Sequence, residues 1–211
     1  MRFPLFLYSL IACFLLSLIK YNYISPRHLK LFPYYLFINI LIEITGYVTL
    51  RMGIRNIWLF NIYTPLEFIF WAYIYSQSIS NKKIKNAVLI FIPGYLILVI
   101  INQTLIQGFF KFHSNTFLLG SLSLILFSVY YLYELFAFDL KKNPFAELLF
   151  WISVGLLLFY SADFIYLSVY NYLTEEKIEV ARILQKAVRI NNFIMYVIFI
   201  IGLLCLKKTQ K

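Results

Sequence analysis

FIMYVIFIIGLLCL, residues 193 to 206, contains no charged side chain and no amide. A helix on the surface of a soluble domain keeps one polar face toward water, whereas one that is apolar all round belongs in a large core or in lipid. With 62% hydrophobic and only 13% charged side chains among 211 residues, the chain lacks the polar groups to clothe a soluble core. The stretch therefore reads as a membrane span, and a mean hydropathy of +0.79 extends that reading to the whole chain.

Crossing ~30 Å of hydrocarbon takes ~20 helical residues. Working outward from 193–206, seven segments qualify, at about 3–20, 30–50, 56–77, 86–103, 114–138, 146–170 and 189–207. The expected fold is all-α, a polytopic transmembrane bundle of seven helices forming one domain over 1–211, with no soluble domain. The first and fourth segments are the shortest, and the fourth carries Pro93-Gly94, which neighbouring helices can accommodate. Leu10-Ile11-Ala12-Cys13 has the look of a lipoprotein processing box, but the apolar run continues to Ile19, which favours a retained first helix. Between the last two spans, Ile178, Ala181, Leu184 and Val188 recur at helical spacing against Glu179, Arg182 and Lys186. That pattern predicts an amphipathic helix over 175–188, capped by Thr174, that lies at the interface or extends the seventh span.

The formal charge of +10 falls between the apolar runs, not along a stripe with interleaved aromatics, which excludes a nucleic-acid partner. One set of loops carries Lys20, Arg27, Lys30, Lys82, Lys83, Lys85, Lys141, Lys142, Lys207, Lys208 and Lys211. The opposite set has eight basic residues, four of them in the amphipathic stretch. This asymmetry predicts the N-terminus outside and the C-terminus in the cytoplasm. Richness in Ile, Lys, Asn, Phe and Tyr suggests a bacterial source, and hence the inner membrane. The expected partners are the lipid bilayer, a small-molecule or lipid ligand, and another membrane protein.

Carboxylates in the body of a spanning helix are costly, so each one is informative. Glu67 stands near the middle of the third segment, Glu43 past the middle of the second and Asp163 past the middle of the sixth. Glu134 and Glu147 fall near segment ends and take a structural reading. Tyr35, Asn39, Glu43 and Tyr47 recur every four residues, Tyr63 precedes Glu67 by one turn, and Tyr160, Asp163 and Tyr166 share a face. With Asn61, Thr64, Asn192 and Tyr196, these groups fall in the outer half of the predicted bundle above an apolar cytoplasmic half. They predict an outward-facing ligand pocket formed by Glu43, Asn61, Tyr63, Thr64, Glu67, Tyr160, Asp163, Asn192 and Tyr196. Pro65 lacks an N–H, so the Asn61 carbonyl loses its helical partner and becomes a further candidate ligand of the pocket.

Other chemistries find little support. His28 and His113 form no spaced ligand pair, so no metal is expected, and no cofactor is implied. A serine nucleophile lacks a base, and the last span has no lysine for a retinal-type pigment. Pro65-Leu66-Glu67 resembles part of the Pro-x-Glu-acidic motif of small membrane-bound lycopene cyclases, but Phe68 stands where the second acid belongs. The intramembrane acids are also generically similar to those of lysoplasmalogenase-like membrane hydrolases. Seven spans with the N-terminus out resemble the small sugar transporters, without their Pro-Gln signature. Taken whole, the chain with its Asn61-x-Tyr63-x-Pro65-x-Glu67 segment most resembles an uncharacterised family of seven-helix bacterial inner-membrane proteins, which implies the fold and no activity. The leading expectation is a ligand-binding sensor or accessory subunit. A small-solute transporter or channel and a lipid-modifying enzyme with carboxylate acid/base chemistry are the alternatives.

Overall fold

A computed structural model describes residues 4–138, 143–176 and 178–206, with the side chains of 169–185 outside the description. Arg2, Lys141, Lys142, Lys207, Lys208 and Lys211 of the charge count, and the side chains that define most of the amphipathic stretch, also lie outside it. Among the described residues the chain forms α1 (Leu5–Ile19), α2 (Phe32–Arg51), α3 (Ile57–Ser78), α4 (Lys82–Ile101), α5 (Ser114–Phe138), α6 (Leu148–Glu176) and α7 (Ile178–Cys205), and no strand. Six of these are long and apolar enough to span a membrane.

All seven expected helices are present, and α1 is the shortest of them. It is apolar, but its 15 residues reach only about 22 Å at 1.5 Å per residue, short of ~30 Å of hydrocarbon. From Ile178 the stretch continues directly into the last span as part of α7, since nothing in 178–190 breaks a helix. At 28 residues, α7 is about 42 Å long and must project beyond the hydrocarbon unless it tilts.

Short connections make antiparallel neighbours. Asn81, after Ser78 ends α3, accepts hydrogen bonds from the backbone N–H groups of Lys83 and Ile84 and so starts α4. The helices close a ring in the order α2, α1, α7, α6, α5, α3, with α2 returning to α3, and α4 packs outside on α3. Ile90, Ile97 and Ile100 of α4 face outward, as do Leu41, Leu126 and Ile165, a lipid-facing surface that a soluble protein could not keep. Phe32, Phe68, Trp71, Tyr75 and Phe199 fill the centre with almost no accessible surface. Tyr75 also donates to Ser153 at 3.0 Å and pairs with Ser128 at 2.8 Å, joining α3, α5 and α6 by hydrogen bonds inside the apolar core.

Glycine permits the closest approaches. A Cβ at Gly120 of α5 would stand 2.4 Å from the Phe68 ring of α3, and one at Gly155 of α6 would stand 2.6 Å from the ring of Phe199 on α7. Gly94, in contrast, faces open space. Gly120→Ala should therefore lower the stability of the detergent-solubilised protein by about 1–3 kcal/mol through overpacking, while Gly94→Ala lowers it not at all. Thermal melts followed by labelling of the buried Cys13 thiol measure both.

Candidate functional site

Two ends of the bundle are defined by their loops. At the Lys-rich end the turn before α2, the α3–α4 turn and the start of α6 come together around one cavity. The end carrying Arg51 is formed by the N-termini of α1 and α3, the C-terminus of α2 and the α4–α5 connection.

The central cluster forms between α2, α3, α6 and α7. The Tyr35 hydroxyl donates to Glu67 Oε1 at 2.6 Å, and Tyr160 from α6 also hydrogen-bonds this carboxylate. Asn39, one turn along α2, donates to Tyr196 at 2.8 Å and to Tyr35 at 3.2 Å. Glu43 on the next turn of α2 and Asp163 on α6 both lie within Coulombic reach of Glu67. Glu67 and Glu43 keep accessible surface at this depth, whereas Asp163 is 7% exposed. Three buried polar atoms here have no hydrogen-bond partner: Asp163 Oδ1, Asn192 Oδ1 and the Tyr63 hydroxyl. Asn192 shares a helical face with Tyr196, four residues on, which places it beside the same network.

Contacts at both ends of the α2–α3 seam leave this cluster between them. Toward the Arg51 end, Gly46 meets the Phe60 ring and Asn56 donates to the Gly46 carbonyl at 2.8 Å. Toward the Lys-rich end, Tyr35 stacks on Phe70 at 5.0 Å and Phe32 packs on Trp71. A cavity of about 640 Å³ opens at the Arg51 end between α1, α2 and α7. Its walls include Tyr47, one turn from Glu43, and Phe193, the neighbour of Asn192.

Asn61 is placed elsewhere. It is fully buried, and its Nδ2 donates to the carbonyls of Phe109 and Lys111 at 2.6 and 2.8 Å, while its Oδ1 accepts from the His113 N–H. Six residues rotate a helix by about 120° net, so Asn61 and Glu67 cannot share a face. The carbonyl that Pro65 frees is taken by Gln103 Nε2 at 2.8 Å, from a π-helical turn after α4. Asn61 thus clamps the α4–α5 connection, and Gly108 supplies the left-handed residue, at φ +79°, that the turn requires. Thr64 is buried on the same helix. Asn191 donates to the carbonyls of Leu158 and Phe159 and ties α7 to α6. Tyr35 and Asn39 join the cluster without having stood among the expected pocket residues; their signal was the four-residue period that also carries Glu43. Among the described residues no group of His, Cys, Asp and Glu is arranged to hold a metal.

No family model, no curated protein and no solved structure matches the chain.

Two outcomes follow from the clamp. Asn61→Ala would strand two carbonyls and one N–H, each costing about 1–3 kcal/mol where buried, so the solubilised protein should melt at lower temperature and become susceptible to trypsin at the exposed Lys111. His113 lies in the connection outside the spans and is fully buried. The Thr116 hydroxyl donates to the His113 carbonyl, so Nδ1–H of the neutral ring donates to Thr116 Oγ1. Burial holds the imidazole below its ordinary value of 6.5, partly offset by the backbone carbonyls of Phe60 and His113, which favour the charged ring. Because the folded state binds its proton less readily than the unfolded chain, His113 favours folding above pH 6.5 and loses that contribution as the pH falls below it. His113→Asn, which retains an N–H near the Nδ1 position, should reduce the loss of melting temperature between pH 7.5 and pH 5.5, by roughly the share due to one titrating group.

Proposed function

We propose that this multi-pass membrane protein binds a small or lipid-derived molecule at the cluster of Glu43, Tyr63, Glu67, Tyr160, Asp163, Asn192 and Tyr196, and that it acts as a sensor or accessory subunit. The observation that carries this reading is the surplus of unpartnered polar atoms in a buried place. Asp163 Oδ1 and Asn192 Oδ1 are acceptors without donors, and the Tyr63 hydroxyl approaches Tyr35 without completing a well-formed hydrogen bond. In a lipid-surrounded bundle such atoms are expensive, and an occupant bringing hydrogen-bond donors, such as an amine or a polyol, satisfies them. The cavity beside Tyr47 and Phe193 offers a route from the Arg51 end, with Leu5, Phe6 and Ile190 suited to an apolar portion of the ligand.

The aromatic centre favours binding over passage. Phe32, Phe68, Trp71 and Phe199 are at most 1% exposed below the cluster, so a transported solute would have to displace packed rings. A transporter or channel reading requires that displacement, and a lipid-modifying enzyme requires Glu67 or Asp163 to exchange a proton with substrate. The lysines that stand at one end of the helices support a bacterial inner-membrane placement with that end in the cytoplasm and the cluster nearer the outside.

Mass spectrometry of organic extracts tests the proposal. A species should co-purify with the wild type in near-stoichiometric amount, and its yield should fall about tenfold or more in Asp163→Asn and Glu67→Gln at unchanged melting temperature, the loss expected for a charged hydrogen-bond partner. Equal extracts from wild type, Glu43→Gln, Glu67→Gln and Asp163→Asn would reduce the cluster to a structural network. Solute flux in proteoliposomes would favour the transporter reading, and turnover of a lipid abolished by Glu67→Gln the enzyme reading.

A further inference from the structure

A second cavity, of about 850 Å³, lies at the Lys-rich end among the last turns of α3 and α5, the start of α6 and the turn before α2. Its lining is opposite in charge to its surroundings. Two carboxylates, Glu134 and Glu147, face it, and among the described residues no lysine or arginine does, although Lys20, Lys30, Lys82, Lys83 and Lys85 belong to the same end. Glu134 is held in place: its two oxygens accept from the backbone N–H groups of Ser80 and Asn81 at 2.8 and 2.9 Å, and the Tyr130 hydroxyl also engages it, which leaves one further lone-pair position on a fixed carboxylate. Glu147 is half-buried at the entry to α6. Tyr130 and Tyr133 add ring faces, and His28 is engaged through Nε2 with Ser78 Oγ at 2.7 Å.

A fixed carboxylate and a second acid beside tyrosine rings make an environment for an ammonium, whose N–H groups the carboxylates accept and whose charge the ring faces attract. Just outside stand exposed Lys82 and Lys83, next to Asn81 of the lining, and these suit a phosphate. An ammonium inward and a phosphate outward, at the level where helices end and tyrosines gather, describes one molecule of the bilayer itself. From the cavity, exposed Tyr133, Val129, Leu126 and Leu122 form a continuous ridge down α5 along which acyl chains can lie. We propose that this cavity binds the headgroup of phosphatidylethanolamine, with the ammonium between Glu134, Glu147 and Tyr130 and the phosphate on the lysines of the α3–α4 turn. The site is separate from the intramembrane cluster and does not depend on it.

Native mass spectrometry of the full-length protein in detergent, titrated with phosphatidylethanolamine, phosphatidylglycerol or free phosphoethanolamine, tests the assignment. The wild type should retain phosphatidylethanolamine over phosphatidylglycerol by roughly fivefold or more, the worth of a partly exposed charge pair. Glu147→Gln should abolish that preference, Lys82→Ala with Lys83→Ala should weaken both lipids alike, and Glu67→Gln should change nothing. Melting temperatures unchanged from wild type establish that the variants are folded; if Glu147→Gln lowers it, Tyr130→Leu is read in its place. Equal retention of the two lipids, a preference indifferent to both Glu147→Gln and Tyr130→Leu, or displacement by phosphoethanolamine at equal concentration would each overturn the proposal, the last assigning the site to a soluble headgroup.

Discussion

In hydrocarbon a backbone carbonyl that loses its helical partner has no water to turn to, and Pro65 creates that situation at Asn61 in the second turn of α3. Much of the Arg51 end is organised around the solution. Gln103 reaches the freed carbonyl, which fixes the turn after α4 against α3. The Asn61 side chain then takes the carbonyls of Phe109 and Lys111 and the N–H of His113, which fixes the path into α5. With that side of α3 committed to α4 and α5, the face carrying Tyr63 and Glu67 is left to meet α2, α6 and α7.

The charge arrangement along the bundle follows from the same scarcity of water. Glu67 is tolerated because Tyr35 and Tyr160 supply hydroxyl donors, and Tyr35 is steadied in turn by Asn39 and by stacking on Phe70. That leaves Asp163, Asn192 and Tyr63 incompletely satisfied at the cluster, with Trp71 Nε1 also unpartnered in the aromatic centre. At the Lys-rich end the problem differs. Glu134 sits where backbone N–H groups of a turn need an acceptor, and it serves two of them at once. One carboxylate set is thus embedded in lipid-facing helices and the other anchors a loop at headgroup level, and their surroundings suit different occupants.

How much of this could be read from the chain depends on the range of the interaction. All-helical class, the positions of six spans and the continuity of the last span are local properties, set by apolar runs longer than the hydrocarbon is thick and by the residues that interrupt them. The four-residue period of Tyr35, Asn39 and Glu43 is equally local, and those three do lie along one face at the cluster. Proline 65 announced a free carbonyl, because the missing N–H is a covalent fact.

What satisfies that carbonyl was not legible, because Gln103 lies 42 residues away and reaches it only through a π-helical turn. Asn61 looked like a partner of Glu67 because it lies within two turns of it, yet the accumulated rotation of the helix sends the two side chains to different neighbours. The same holds for Glu134, whose role depends on a turn 53 and 54 residues before it. Helices, their lengths and their polar stripes are decided by neighbours in the chain, where geometry is regular. Which stripe meets which, and which polar atom is left over, is decided by packing between distant segments, and only the assembled bundle contains that information.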